Sequence, residues 1–210
     1  MTPLVVLLHG LARGPGSMAR LGAHLAAHGF DTRSHSYPSR RASIAEIARG
    51  LADTIAREAG GRPISAVTHS LGGVVARHLH DPRIAWQRIV MLAPPNQGSQ
   101  LARDLAINPL FRWFYGPAGR ELADASSWPA PPAPFAVIAG TRARALINLT
   151  SWTAGRRFPP GVPNDGTVAV AETRLDGMAD FAEVNATHTW IMNDPCVHGL
   201  VVRYLRHGRF

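Results

Sequence analysis

Lysine is absent from the 210 residues, so all 22 basic side chains are arginine, against 14 acidic residues and a formal net charge of +8. The arginines are scattered, with no run of five. That argues for a solvated surface and a compositional bias, and against a nucleic-acid-binding arm. Peripheral attraction to an anionic membrane stays open as an expectation. Cysteine is nearly absent: Cys196 stands alone, which excludes an intrachain disulfide and fits a reducing compartment. A single domain of this length buries roughly 70% of its unfolded surface and needs no staple. No window approaches the ~20 apolar residues of a membrane span. Leu4–Leu8 follows no basic segment and stops at His9-Gly10, so it reads as a strand and not a signal peptide. A cytoplasmic protein is expected. No His-Glu-x-x-His run and no second cysteine occur, so no metal site is expected.

What is present is an alternation of short apolar runs with longer helical stretches. Strands are expected at Leu4–Leu8, Phe30–Tyr37, Ile64–Thr68, Arg88–Ala93, Phe135–Ala139 and Phe181–Val184. Helices are expected at Ser17–His28 with Ser17 as N-cap, Ser43–Ala59, Leu71–His80 and Pro195–Arg206. Continuous rather than alternating apolar strands imply a mostly parallel sheet covered on both faces, with function at the carboxyl ends of the strands. Two stretches interrupt the pattern. Residues 96–134 hold Phe111, Trp113, Phe114 and Tyr115 before the proline-rich 129–134, and 141–164 is rich in Arg, Gly and Pro.

The strongest chemical signal is Val67-Thr68-His69-Ser70-Leu71-Gly72-Gly73 between a strand and a helix. A serine on so sharp a turn is forced out above the sheet, with a helix start behind it. Residues two positions to either side must be small. Gly72 is, whereas Thr68 stands where glycine is usual. The alternative role for Ser70 is a plain helix N-cap. Backbone donors for a developing oxyanion are available at Leu71, directly after the serine, and at Leu11, directly after His9-Gly10.

With Leu8-His9-Gly10-Leu11, Ala93-Pro94-Pro95-Asn96-Gln97-Gly98-Ser99, Asn164-Asp165-Gly166-Thr167-Val168 and Thr187-His188-Thr189, the chain resembles the bacterial lipase and esterase branch of the α/β hydrolases. The resemblance implies an α/β-hydrolase fold with minimal or no cap, a Ser–acid–His triad, hydrolysis of carboxylic esters and no cofactor. In that fold the acid follows the serine and precedes the histidine. No Asp or Glu occurs between Asp124 and Asp165, which leaves Asp165 as the first carboxylate after the fifth strand. Asp180, Asp176 and Glu172 are the alternatives, and Asp165 itself has a second reading as an Asp-Gly turn. His188, in the loop before the last helix, is the expected base, with His198 as runner-up.

The whole chain, 1–210, is expected to form one such domain, with 96–134 a short lid-like insertion. Trp113 and Phe114 are candidate substrate-binding residues, either on a lid or as part of the core beside the sheet. The partner expected is a small acyl ester or a lipid. A transacylase or thioesterase with the same triad, or a hydrolase-fold protein that binds without turnover, stays open. Gly14-Pro15-Gly16-Ser17-Met18-Ala19 formally fits a dinucleotide fingerprint, but His35-Ser36-Tyr37 offers no acid to hold a ribose.

Overall fold

The computed structural model describes residues 2–143 and 158–210. Six parallel strands form one sheet in the order β2-β1-β3-β4-β5-β6. They are β1 (Leu4–Leu8), β2 (Asp31–His35), β3 (Ile64–His69), β4 (Trp86–Leu92), β5 (Phe135–Gly140) and β6 (Asp180–Val184). Because successive side chains point to opposite faces, Val5 and Leu7 join one apolar cluster while Leu4, Val6 and Leu8 join another. The first lies under α1 (Ala19–Ala27) and the closing helix α6 (Pro195–His207). The second lies under α2 (Ile44–Ala59) and α3 (Leu71–Arg77). Fully burying each such Leu, Ile or Val contributes about 1.5–3 kcal/mol, so the two-faced burial of β1 and β3 fixes the centre of the sheet.

Local rules explain most boundaries. The Ser43 hydroxyl accepts from Glu46 N–H while the Glu46 carboxylate accepts from Ser43 N–H, a closed capping box at the start of α2. Gly60, at φ 56°, ends that helix in the left-handed conformation. The first helix departs from expectation. Pro15–Met18 is a 3₁₀ turn, and the Ser17 hydroxyl donates to Gly14 O instead of capping. Helix α3 stops at Arg77, short of His80, before the helix-averse Asp81-Pro82.

Residues 96–134, read as an interruption, contain two helices, α4 (Gln100–Leu105) and α5 (Pro109–Glu121). Helix α5 is kinked at Gly116, at φ 65°, whose Cα packs against the Arg40 carbonyl so closely that a Cβ would collide. Most of 141–164, residues 144–157, lies outside the described residues.

Candidate active site

At the carboxyl end of β3 the chain turns directly into α3, and Ser70 occupies the turn at φ 52°, ψ −120°. A non-glycine residue held in that region is strained, and the strain is carried by the strand before it and the helix after it. Ser70 N–H donates to Leu92 O of β4 at 2.9 Å, so the neighbouring strand pins the turn. The Ser70 side chain makes no capping bond. Its hydroxyl donates instead to His188 Nε2 at 2.9 Å.

The turn needs its glycines. A Cβ at Gly72 would sit 2.5 Å from Leu8 O and 2.8 Å from His9 O, so α3 packs on β1 through bare backbone. A Cβ at Gly10 would sit 2.7 Å from His69 Nδ1 and 3.4 Å from Ser70 Cβ, which brings the loop after β1 against the serine. Thr68, unexpected for its bulk, is accommodated by Gly73, where a Cβ would lie only 3.3 Å from the Thr68 hydroxyl oxygen and 3.0 Å from Pro94.

Asp165 is buried, and its two carboxylate oxygens do different work. Oδ1 accepts from Thr167 and Val168 N–H at 3.0 and 2.8 Å and closes a turn, while Oδ2 accepts from His188 Nδ1–H at 2.7 Å. The two roles foreseen for Asp165, turn former and histidine partner, are thus filled by one residue. The backbone couples them further: His188 N–H donates to Asp165 O at 2.9 Å. Asp165 reaches this place because β5 ends on Gly140, where a Cβ would meet Asp165 Cβ at 2.8 Å and Ala186 O at 2.6 Å. With Nδ1–H committed to the carboxylate, Nε2 is left as the acceptor for the serine proton.

The alternatives are placed elsewhere. His198 Nε2–H donates to Met192 O at 2.9 Å, and its ring packs on His24. Asp180 opens β6 and accepts from Phe210 N–H at the far end of the sheet. Glu172 is held by backbone N–H groups of Ala169 and Gln100, and burial raises its pKa. Gly14 and Gly16 face open space, with nothing near an added Cβ, so the apparent dinucleotide fingerprint has no close backbone approach behind it. Among the described residues no group of three or more His, Cys, Asp or Glu could hold a metal ion.

Three further residues, His69 and His9 within the motifs and Tyr37 outside them, were given no role of their own by the sequence. His69 Nε2–H donates to His188 O at 3.0 Å, so the residue before Ser70 grips the backbone of the histidine loop. His69 is fully buried, and desolvation drives its pKa well below the usual imidazole value. His9 is stacked on Tyr37 at 4.0 Å with its pKa likewise lowered by burial, and the Tyr37 hydroxyl donates to His9 O. Both rings are thereby neutral beside the site. The only hint in the sequence is that each histidine adjoins a motif residue.

Ser70 and His188 open into a cleft of about 510 Å³. Leu101, Leu105, Phe111, Phe114, Tyr115 and Leu122 of the α4–α5 segment form an apolar wall, and Leu11 and Val168 complete it. Leu71 N–H is the first of α3 and has no intrahelical acceptor. Leu11, in the loop after β1, lines the same cleft as Ser70. Trp113, foreseen beside Phe114 as a substrate contact, does not line the cleft: it is 77% exposed on the outer face of α5. Consecutive helical residues point about 100° apart, so one turns inward and the other outward.

The alpha/beta hydrolase family model matches residues 5–209. Among curated protein sequences none matches. Solved structures with the same fold include the mature lipase BlEst2 of Bacillus licheniformis, 18% identical with a TM-score of 0.78, the alignment covering 100% of this chain and 93% of that one. The metagenomic carboxyl esterase MGS0156 is 19% identical with a TM-score of 0.71, covering 89% of this chain and 64% of that one. Phospholipase PlaB of Legionella pneumophila is 20% identical with a TM-score of 0.63, covering 82% of this chain but only 46% of its own. At these identities the neighbours bear on architecture alone. The family model spans nearly the whole sequence, and the chain belongs to the alpha/beta hydrolase family.

Proposed function

We propose that the protein is a serine hydrolase of carboxylic esters, with Ser70 as nucleophile, His188 as general base and Asp165 as the acid that orients it. The observation that carries this is the continuous hydrogen-bond chain from the Ser70 hydroxyl through His188 to Asp165, with links of 2.9 and 2.7 Å, at the mouth of an apolar cleft. Ser70 attacks the acyl carbonyl as His188 Nε2 takes its proton. Asp165 holds the imidazole in the Nδ1–H tautomer and stabilises the imidazolium. The N–H groups of Leu71 and Leu11 receive the oxyanion, each contributing on the order of 3 kcal/mol in the transition state. His188 then returns the proton to the leaving alcohol, and water, deprotonated by the same nitrogen, releases the acid.

The substrate in this reading is a small acyl ester or lipid whose chain lies along the α4–α5 wall, with Phe114 in contact and no cofactor. Residues 1–210 act as one domain, with 96–134 a short lid-like cover and not a separate unit. Peripheral contact with an anionic membrane belongs to the same reading, since Ile107, just before α5, and Leu110 and Trp113 on it are exposed and Arg112 stands among them. No described helix is long and apolar enough to cross a membrane.

A fluorophosphonate probe and a series of p-nitrophenyl esters test the core of the proposal. Ser70 is expected to carry the adduct, and Ser70→Ala to lose on the order of a thousandfold or more in turnover while keeping its circular dichroism and melting temperature. A folded Ser70→Ala protein with undiminished ester hydrolysis would refute the assignment.

A further inference from the structure

Among the described residues, guanidinium groups that are buried or partly buried are, as a rule, satisfied. Arg77, only 4% exposed, donates to the carbonyls of Pro129, Asn96 and Trp128 at 2.6, 2.9 and 3.1 Å. Arg88, partly buried, donates to Leu205 O at 2.7 Å. Arg13 breaks the pattern. It lies two residues beyond Leu11 in the loop after β1 and lines the cleft together with Ser70 and His188. Its Nε is buried and has no hydrogen-bond partner. The guanidinium carbon stands 6.0 Å from the Trp190 ring, at the outer limit of a cation–π contact, in the loop that follows His188.

No carboxylate answers this charge. Among the described residues Arg13 forms no ion pair, and no Asp or Glu lines the cleft. Residues 144–157 contain no acid at all, so the undescribed part of the chain holds no side-chain carboxylate for it either. His9 and His69 beside it are neutral and offer no negative charge. Holding a guanidinium partly out of water without a partner costs stability. Such a cost concentrates where a ligand supplies the missing partner.

The cleft is therefore asymmetric in its chemistry. The α4–α5 segment offers mainly apolar side chains and no charge around the site, Tyr115 and Ser99 being its polar members, whereas the loops after β1 and after His188 offer a single fixed positive charge. We propose that Arg13 binds an anionic group, a carboxylate or a phosphate, on the alcohol portion of the ester, so that the preferred substrates join an apolar acyl chain to a negatively charged alcohol. This rests on the reading of Ser70 as nucleophile. The planar fork of the guanidinium suits either anion, because both present two oxygens to two parallel N–H donors.

The experiment compares octanoyl esters of glycerol, glycerate and glycerol 3-phosphate, with kcat/KM measured for the wild-type protein and for Arg13→Gln and Arg13→Lys. The wild type is expected to favour one or both anionic esters by about tenfold or more, and the preference is expected to shrink as salt is raised. Whichever anion is favoured identifies the ligand. In Arg13→Gln the ratio of anionic to neutral ester is expected to fall roughly ten- to a hundredfold, chiefly through KM, while Arg13→Lys keeps part of it.

A wild type indifferent to charge overturns the proposal without recourse to any variant. So does an Arg13→Gln loss of equal size on all three esters, which would assign Arg13 to the oxyanion or to the fold. Fluorophosphonate labelling of Ser70 separates the two levels of inference. Ser70 labelled without an anionic preference sinks only the role of Arg13, whereas no labelling and no turnover of any ester sinks both.

Discussion

Beneath Ser70, three backbone segments approach so closely that a single added methyl group would collide, while across the cleft α5 and the turn before it leave Ile107, Leu110 and Trp113 largely in solvent. The floor is built from main chain and short hydrogen bonds with no slack at Gly10, Gly72 or Gly140. The wall is built from side chains on a kinked helix that touches the rest of the molecule on one face. The floor sets where charge develops in a reaction, and there an error of an ångström costs rate steeply. The wall sets which chains fit, and there volume can change by a methylene at modest cost. One region is organised for position and the other for breadth.

The sharpest way to break this contrast is Gly72→Ala. Its Cβ meets carbonyl oxygens of β1 and not a flexible side chain, so α3 must shift and take Leu71 N–H and Ser70 with it. A loss of about 1–3 kcal/mol in stability and roughly a hundredfold in turnover is expected. Gly14→Ala, in the loop after β1 and facing open space, should be close to neutral in both. Urea melts and ester assays on the pair decide the matter, and equal behaviour would show that the floor has slack after all.

A smaller effect is expected from the wall. Phe111→Ala with Phe114→Ala should lower kcat/KM for octanoyl esters about tenfold relative to acetyl esters, since each methylene removed from apolar contact is worth about 0.8 kcal/mol. Parallel losses for long and short chains would mean that these rings only support the fold. Trp113→Ala, outside the cleft, should leave that chain-length ratio where it was. If it alone shifts the ratio, the outer face of α5 belongs to the substrate path.

A third test addresses the floor through pH. Burial lowers the pKa values of His69 and His9, so the folded protein binds fewer protons than the unfolded chain, whose histidines titrate near 6.5. Their contribution is complete above about pH 6.5 and is lost as pH falls toward the depressed folded values. The urea midpoint should therefore be lower at pH 5.5 than at pH 7.5, and His69→Asn should narrow the gap. A midpoint that rises on acidification would contradict the buried, neutral assignment.

The floor was largely legible in the sequence and the wall was not, for a physical reason. Strands such as Leu4–Leu8 and Ile64–His69 are apolar throughout because both faces of the sheet are covered, and serine, glycine and histidine stand where those strands end. Asp165 emerged because a long stretch free of carboxylates left it the first acid after the fifth strand, ahead of Glu172, Asp176 and Asp180. Thr68 looked like a defect until Gly73 proved to make room for it, a compensation that exists only in three dimensions. Helix α4 escaped notice because its six residues are too few to show a period, and α5 because Pro109, Gly116 and Pro117 break the periodicity that marks a helix, its kink being held by a distant contact with Arg40. Ser17 failed as a cap because its hydroxyl found Gly14 O within its own turn first. Arg13 carries no motif, and what marks it is the absence of a partner.

The hydrogen bond from His69 to the His188 carbonyl has an outcome for assembly. It ties the turn before α3 to a loop placed after every strand of the sheet, 119 positions further along the chain. Should that loop detach, the imidazole withdraws and the buried ring of His69 loses its acceptor in the same event. Competence and completion then arrive together. On the proposed mechanism, a chain whose earlier strands have already paired would remain inert until the loop docks, which would make the first sign of turnover a clock for the last stage of folding.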